Sequence, residues 1–146
     1  MAHTLSPQRV STLPTVLIID DNQDDLKHWS QALKTSSSKY SVLEATSVES
    51  GLKLCREDSV DCVLLDLDMP ESGFHALLEL IPDRTRPDIA IIIFTRLHHP
   101  TLFNIAKDNG AQTCLLKQRT STQELDTAIH QAIAAVKSKQ ENVGGS

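Results

Sequence analysis

The sequence predicts an α/β domain: a doubly wound, five-stranded parallel sheet, a (βα)5 unit with helices on both faces. Two observations predict it. Five short apolar runs alternate with five stretches in which apolar residues recur at three- and four-residue spacing. Three of the five runs are apolar almost throughout and rich in Val, Ile and Leu, as strands are when both sheet faces are covered. Alternation of this kind implies right-handed crossovers between parallel strands. A chain of 146 residues suits one domain. We expect it over residues 15–137, between an N-terminal tail at 1–14 and a C-terminal tail or linker at 138–146.

Taken in order, the first strand is TVLIID at 15–20. Leu26, Trp29 and Leu33 mark the helix after it. The second strand is YSVLEA at 40–45, followed by a helix carrying Val48, Leu52 and Cys55 behind a capping box of Thr46 and Glu49. The third strand is DCVLLD at 61–66, and Phe74, Leu77, Leu78 and Ile81 stripe the helix that Pro82 ends. The fourth strand is DIAIIIF at 88–94. Its helix opens at Pro100, carries Leu102, Phe103 and Ala106, and stops at Asn109-Gly110. The fifth strand is QTCLL at 112–116. The last helix opens with a Ser121/Glu124 capping box and lines up Leu125, Ile129, Ala132, Ile133 and Val136.

Composition narrows the function classes. The formal net charge is −5 and the Lys and Arg residues are scattered, which argues against direct nucleic-acid binding. No apolar run approaches the ~20 residues of a membrane-spanning helix, so no membrane association is expected. Cys55, Cys62 and Cys114 form no CxxC pair. An odd count of this kind reads as free, largely buried thiols in a reducing, cytoplasmic setting.

The informative feature lies at the carboxyl ends of the strands, where folds of this class bind ligands. Asp20-Asp21 ends the first strand, Asp66-Leu67-Asp68 the third, Thr95 the fourth and Lys117 the fifth. Each residue alone has an ordinary reading as a helix cap, a turn former or a solvated lysine. Together they deliver carboxylates, a hydroxyl and an ammonium to one edge. At an effective dielectric of ~20, two carboxylates about 4 Å apart repel by about 4 kcal/mol. A divalent cation with oxygen ligands offsets that, and Mg²⁺ suits few carboxylates, several waters and a phosphate. Such a set is equipped for phosphoryl transfer onto a carboxylate.

The motifs LIIDDN (17–22), LLDLDMP (64–70), IIIFT (91–95), NGAQ (109–112) and LLK (115–117) resemble the receiver domain of two-component response regulators. The resemblance runs from about Thr15 to Val136 and implies a flavodoxin-like fold. It implies that Asp66 is the phosphoacceptor, that Thr95 is the switch hydroxyl and that Lys117 contacts the phosphoryl group. It also implies that Asp20, Asp21, Asp66 and the backbone carbonyl of Asp68 hold Mg²⁺. The implied partners are a histidine kinase or phosphotransfer protein as donor, an output domain that is fused or separate, and a second copy in a homodimer. The implied role is signalling, with no enzymatic turnover beyond self-phosphorylation and self-dephosphorylation.

Four positions depart from the family pattern. Gly73 comes one residue early, and Arg96 follows Thr95 where a small residue is common, so a long cation covers the acceptor or contacts the phosphoryl group. Cys114 takes the place of the switch aromatic. Gln118 replaces a proline, which predicts a trans peptide or a strained loop. These departures keep a second reading open, a degenerate receiver-like protein-binding domain not controlled by phosphorylation. A third, a haloacid-dehalogenase-like phosphatase, rests on Asp66-Leu67-Asp68 but lacks an acidic pair after Lys117. His98-His99 read as exposed loop residues, with no third ligand near in sequence.

Overall fold

The computed structural model describes residues 13–36, 39–69, 73–80 and 89–145, with side chains at 73–74 and 139–145 left aside. The strands are β1 (Thr15–Ile19), β2 (Ser41–Ala45), β3 (Cys62–Leu65), β4 (Ala90–Thr95) and β5 (Thr113–Leu116). The helices are α1 (Gln23–Lys34), α2 (Val48–Glu57), α3 (Gly73–Leu80), α4 (Pro100–Asp108) and α5 (Thr122–Gly145). The sheet order is β2-β1-β3-β4-β5 and every pairing is parallel. The doubly wound α/β fold is therefore the one the sequence predicts.

Period-two alternation divides the apolar strands between two cores. Leu17, Ile19, Val63, Leu65, Ile91 and Ile93 face one side with Val48, Leu77 and Ala106 of α2, α3 and α4. Val16, Ile18, Leu64, Ile92 and Phe94 face the other with Leu26, Trp29 and Leu33 of α1 and Leu125 and Ile129 of α5. Trp29 meets the Phe94 ring edge-on at 4.8 Å, which ties α1 to β4. At Gly51 the absence of a side chain sets the helix distance. A Cβ there would stand 2.5 Å from Ile19 Cδ1, so α2 packs onto β1 at a distance that a larger residue would hold only by displacing the Ile19 side chain.

Several local expectations change. The cap of α2 is Ser47, whose hydroxyl accepts the Ser50 amide at 3.1 Å, so the Thr46/Glu49 box does not form. Leu78 is 42% exposed while Ala76 and Leu77 are buried, so the α3 stripe is rotated from the expected one. Phe74 lies among the side chains left aside, and Ile81 and Pro82 fall outside the described residues, as does the early turn before Gly73. Helix α5 opens on the expected box, with Glu124 accepting the Ser121 amide at 2.8 Å and Ser121 accepting the Glu124 amide at 3.0 Å. It then continues to Gly145, through residues expected to be tail or linker. No Pro or Gly interrupts it before Gly144, and helical propensity carries it past the last core contact at Val136. At the other end Pro14 belongs to the fold, its carbonyl accepting the Ser41 amide at 2.9 Å. Of the expected N-terminal tail, residues 1–12 fall outside the described residues.

Candidate functional site

The backbone ladder delivers the acidic residues to one edge. The Asp20 amide donates to the Ala45 carbonyl at 3.0 Å, and the Asp66 amide to the Ile19 carbonyl at 3.1 Å. Both residues therefore sit one step past the ends of β1 and β3, on adjacent strands, and both are buried. β4 runs through Thr95, and Lys117 opens a short 3₁₀ turn (Lys117–Arg119) after β5.

Lys117 draws the edge together. From the far side of β4 its ammonium donates to Asp66 Oδ2 at 2.9 Å, to Asp25 Oδ2 at 3.1 Å, and to Asp20 Oδ2. Its side chain is only 2% exposed, so it does not snorkel to solvent. Burial by itself lowers an ammonium, but the hydrogen bonds to Asp20 and Asp66 outweigh it and hold Lys117 above its ordinary value. The other oxygens of Asp20 and Asp66 are engaged by backbone. Asp20 Oδ1 accepts the Asn22 amide at 2.9 Å, and Asp66 Oδ1 accepts the Asp68 amide at 2.8 Å. Burial pushes the Asp20 carboxyl up, with the Lys117 and Asn22 hydrogen bonds pulling against it.

Asp25 is the residue that sequence reasoning missed. Asn22, not Asp21, caps α1, its side chain accepting the Asp25 amide at 3.0 Å. That cap places Asp25 at the third helical position, buried, where a helical side chain leans back over the preceding turn and so toward the strand ends. Besides Lys117 it takes Arg96 in a two-pronged pair, Nη2 to Oδ1 at 2.9 Å and Nε to Oδ2 at 3.1 Å. The Arg96 guanidinium, opposed by burial and seconded by Lys117, holds the Asp25 carboxyl down at about 2. The acid pair most visible in sequence is thus split. Asp20 joins the cluster, whereas Asp21 is exposed.

Thr95 is fully buried, and its hydroxyl accepts the Leu97 amide at 3.3 Å. Thr95 ends β4, the strand next to β3, and among the described residues no hydrogen bond joins its hydroxyl to Asp66. Asp68 is exposed and contributes its backbone amide to Asp66. His98 and His99 are exposed as expected, and His99 Nδ1 caps α4 by accepting the Leu102 amide at 3.1 Å. Gln118 follows a trans peptide, and its side chain donates to the Arg96 carbonyl at 3.2 Å. Cys114 is half-buried, its thiol directed at the Phe103 carbonyl, and burial raises it to about 11. Cys62 is fully buried and its thiol is likewise raised by burial.

The donor set suits Mg²⁺ in kind, being oxygen donors, with Asp20 and Asp66 buried and Asp21 and Asp68 exposed. Three carboxylates, Asp20, Asp25 and Asp66, meet two cations, Lys117 and Arg96, so the cluster is short of positive charge even before exposed Asp21 is added. Lys117 stands between the carboxylates, and among the described residues no three acidic, His or Cys side chains converge on a common metal position.

The described residues contain no helix long and apolar enough to cross a membrane. The family model for the response regulator receiver domain matches residues 16–130. The chain is 32% identical over 115 residues to protein-glutamate methylesterase/protein-glutamine glutaminase 1 of Myxococcus xanthus, spanning 79% of this chain and 33% of that protein. It is 31% identical over 103 residues to protein PilH of Pseudomonas aeruginosa, spanning 70% of this chain and 84% of that one. The chain thus covers about a third of the methylesterase and most of PilH. The solved structure of a response regulator receiver domain protein from Clostridium thermocellum superposes with a TM-score of 0.75 at 31% identity, over 86% of this chain and 98% of that one. With the parallel (βα)5 fold and the acidic strand-end cluster, these matches place the chain in the response regulator receiver domain family of two-component systems.

Proposed function

We propose that the chain is a Mg²⁺-dependent phosphoacceptor in which Asp66 takes a phosphoryl group from a histidine kinase or phosphotransfer protein. The observation that carries this reading is the Lys117 ammonium bound to Asp66 Oδ2 at 2.9 Å, within a cluster that also holds Asp20. In the transfer, an Asp66 carboxylate oxygen forms a bond to phosphorus as the bond from phosphorus to the donor's imidazole nitrogen breaks. The electron pair leaves with that nitrogen. Lys117 stands where negative charge accumulates on the transferred group, and needs little rearrangement to offset it. Thr95 exchanges the Leu97 amide for a phosphoryl oxygen, to which its hydroxyl donates. Asp20, Asp21, Asp66 and the Asp68 carbonyl are the groups that would hold Mg²⁺, which supplies charge neutralisation at the phosphoryl oxygens.

In this reading the chain acts as a switch and not as an enzyme with a separate substrate. The acyl phosphate changes the charge of a buried cluster and biases which partner surface, output domain or second copy is engaged. Nothing in the comparisons favours the haloacid-dehalogenase-like alternative. Incubation with Mg²⁺ and phosphoramidate, read by intact mass, tests the proposal. One added phosphoryl group in the wild type and none in Asp66→Asn is the expected result. An unmodified wild type under those conditions and with a cognate donor would remove it.

A further inference from the structure

The ion pair between Asp25 and Arg96 has a position in the sheet that bears on access to Asp66. Asp25 belongs to the helix that follows β1, and Arg96 to the loop that follows β4. In the order β1-β3-β4 these strands flank β3, whose carboxyl end carries Asp66. Neighbouring strands lie about 4.8 Å apart, so the pair bridges roughly 10 Å across the end of the acceptor strand. It is also the outer layer of the site. The Arg96 side chain is 56% exposed, whereas Lys117 beneath it is 2% exposed and shares Asp25 Oδ2 with it. The base of the bridge is fixed, because Gln118 holds the Arg96 carbonyl at 3.2 Å and the α1 cap fixes Asp25.

We infer that Asp25 and Arg96 form a strap across the acceptor site, so that the pair must open before a phosphodonor reaches Asp66 or water reaches the acyl phosphate. This rests on the reading of Asp66 as phosphoacceptor. Asp25 and Arg96 are access and positioning residues: the strap adds nothing to the bond-making step and limits both loading and loss. Opening an exposed two-pronged pair is a modest cost, which corresponds to about a fivefold slowing of each rate.

The test compares the wild type, Arg96→Ala and Asp25→Asn. Each is loaded with phosphoramidate and Mg²⁺, then freed of donor, and its phosphoryl content is followed by intact mass. The two variants change the charge of the site in opposite directions. A bulk electrostatic influence on an anionic donor therefore moves their loading rates apart, whereas removal of a strap speeds both. About fivefold faster loading and loss in both variants is the expected result, and loading of Arg96→Ala where the wild type stays unmodified supports the same conclusion. Rates equal to the wild type in both variants overturn the strap while leaving the phosphoacceptor reading intact. Slower loading in Arg96→Ala overturns it too, because it assigns the guanidinium to the phosphoryl group. If none of the three proteins is modified, by phosphoramidate or by a cognate donor, the phosphoacceptor reading falls and takes the strap with it.

Discussion

Asp25 serves two cations at once: Arg96 grips both its carboxylate oxygens, at 2.9 and 3.1 Å, and Lys117 shares the second oxygen at 3.1 Å. Through this residue the first turn of α1 is joined to the ends of β4 and β5. The exposed and buried layers of the site thus meet at one carboxylate oxygen.

The Asp25 carboxyl is held at about 2, below its ordinary 3.8, so folding favours its charged form. That contribution is complete above 3.8 and is lost as pH falls from there toward 2. Allowing for the exposure of Arg96, it amounts to on the order of 1 to 2 kcal/mol. Urea unfolding of the wild type and Asp25→Asn should therefore differ by about that much near neutrality, with the gap closing as pH approaches 2. Lys117 has the opposite sign: held above 10.5, it contributes fully below that value, and its contribution fades at higher pH.

Lys117→Met leaves Asp20, Asp25 and Asp66 facing one another without their shared ammonium. Breaking a buried ion pair from one side costs on the order of 3 to 5 kcal/mol. Denaturant unfolding at neutral pH should show a loss of that order. The loss should shrink in acid, where Asp20, already pushed up by burial, is among the first to take a proton.

A cation bound by the folded cluster and not by the unfolded chain raises the melting temperature, by about 1.4 kcal/mol of stability at ten times its Kd. Mg²⁺ titration followed by thermal unfolding should show that rise. Asp21→Asn should reduce it while leaving the metal-free melting temperature nearly unchanged, because Asp21 is exposed and outside the Lys117 network. An equal Mg²⁺ shift in the variant would exclude Asp21 as a ligand.

The α4 cap depends on an imidazole nitrogen accepting the Leu102 amide. His99→Ala should cost about 1 kcal/mol in urea unfolding, and His99→Asn, which restores an acceptor at that position, should recover most of it.

How far the sequence carries depends on what kind of information each residue holds. Asp20, Asp66, Thr95 and Lys117 are legible because a parallel sheet sends all its carboxyl ends to one edge, so knowing the strands is enough to place them near one another. Asp25 is not legible that way. In QDDL it reads as an ordinary acid complementing a helix N-terminus, and only the Asn22 cap fixes which acid of the pair turns back over the strands. Arg96 is visible as a departure, but its partner lies 71 residues earlier in the chain, which local pattern does not supply. The α2 cap slipped by one because Thr46 and Ser47 are both suitable caps. Apolar spacing alone does not mark the end of α5, because it reports packing against the core, which stops at Val136, whereas the backbone hydrogen bonds of a helix continue without it.

The central claim is that Asp66, and no other carboxylate of the cluster, receives the phosphoryl group. Borohydride reduces an aspartyl phosphate to homoserine, which peptide mass mapping locates after loading with phosphoramidate and Mg²⁺. Homoserine at position 66 in the wild type, with none at 20, 21, 25 or 68, is the predicted result. Homoserine at one of those other positions, or phosphoryl incorporation that persists undiminished in Asp66→Asn, would contradict it.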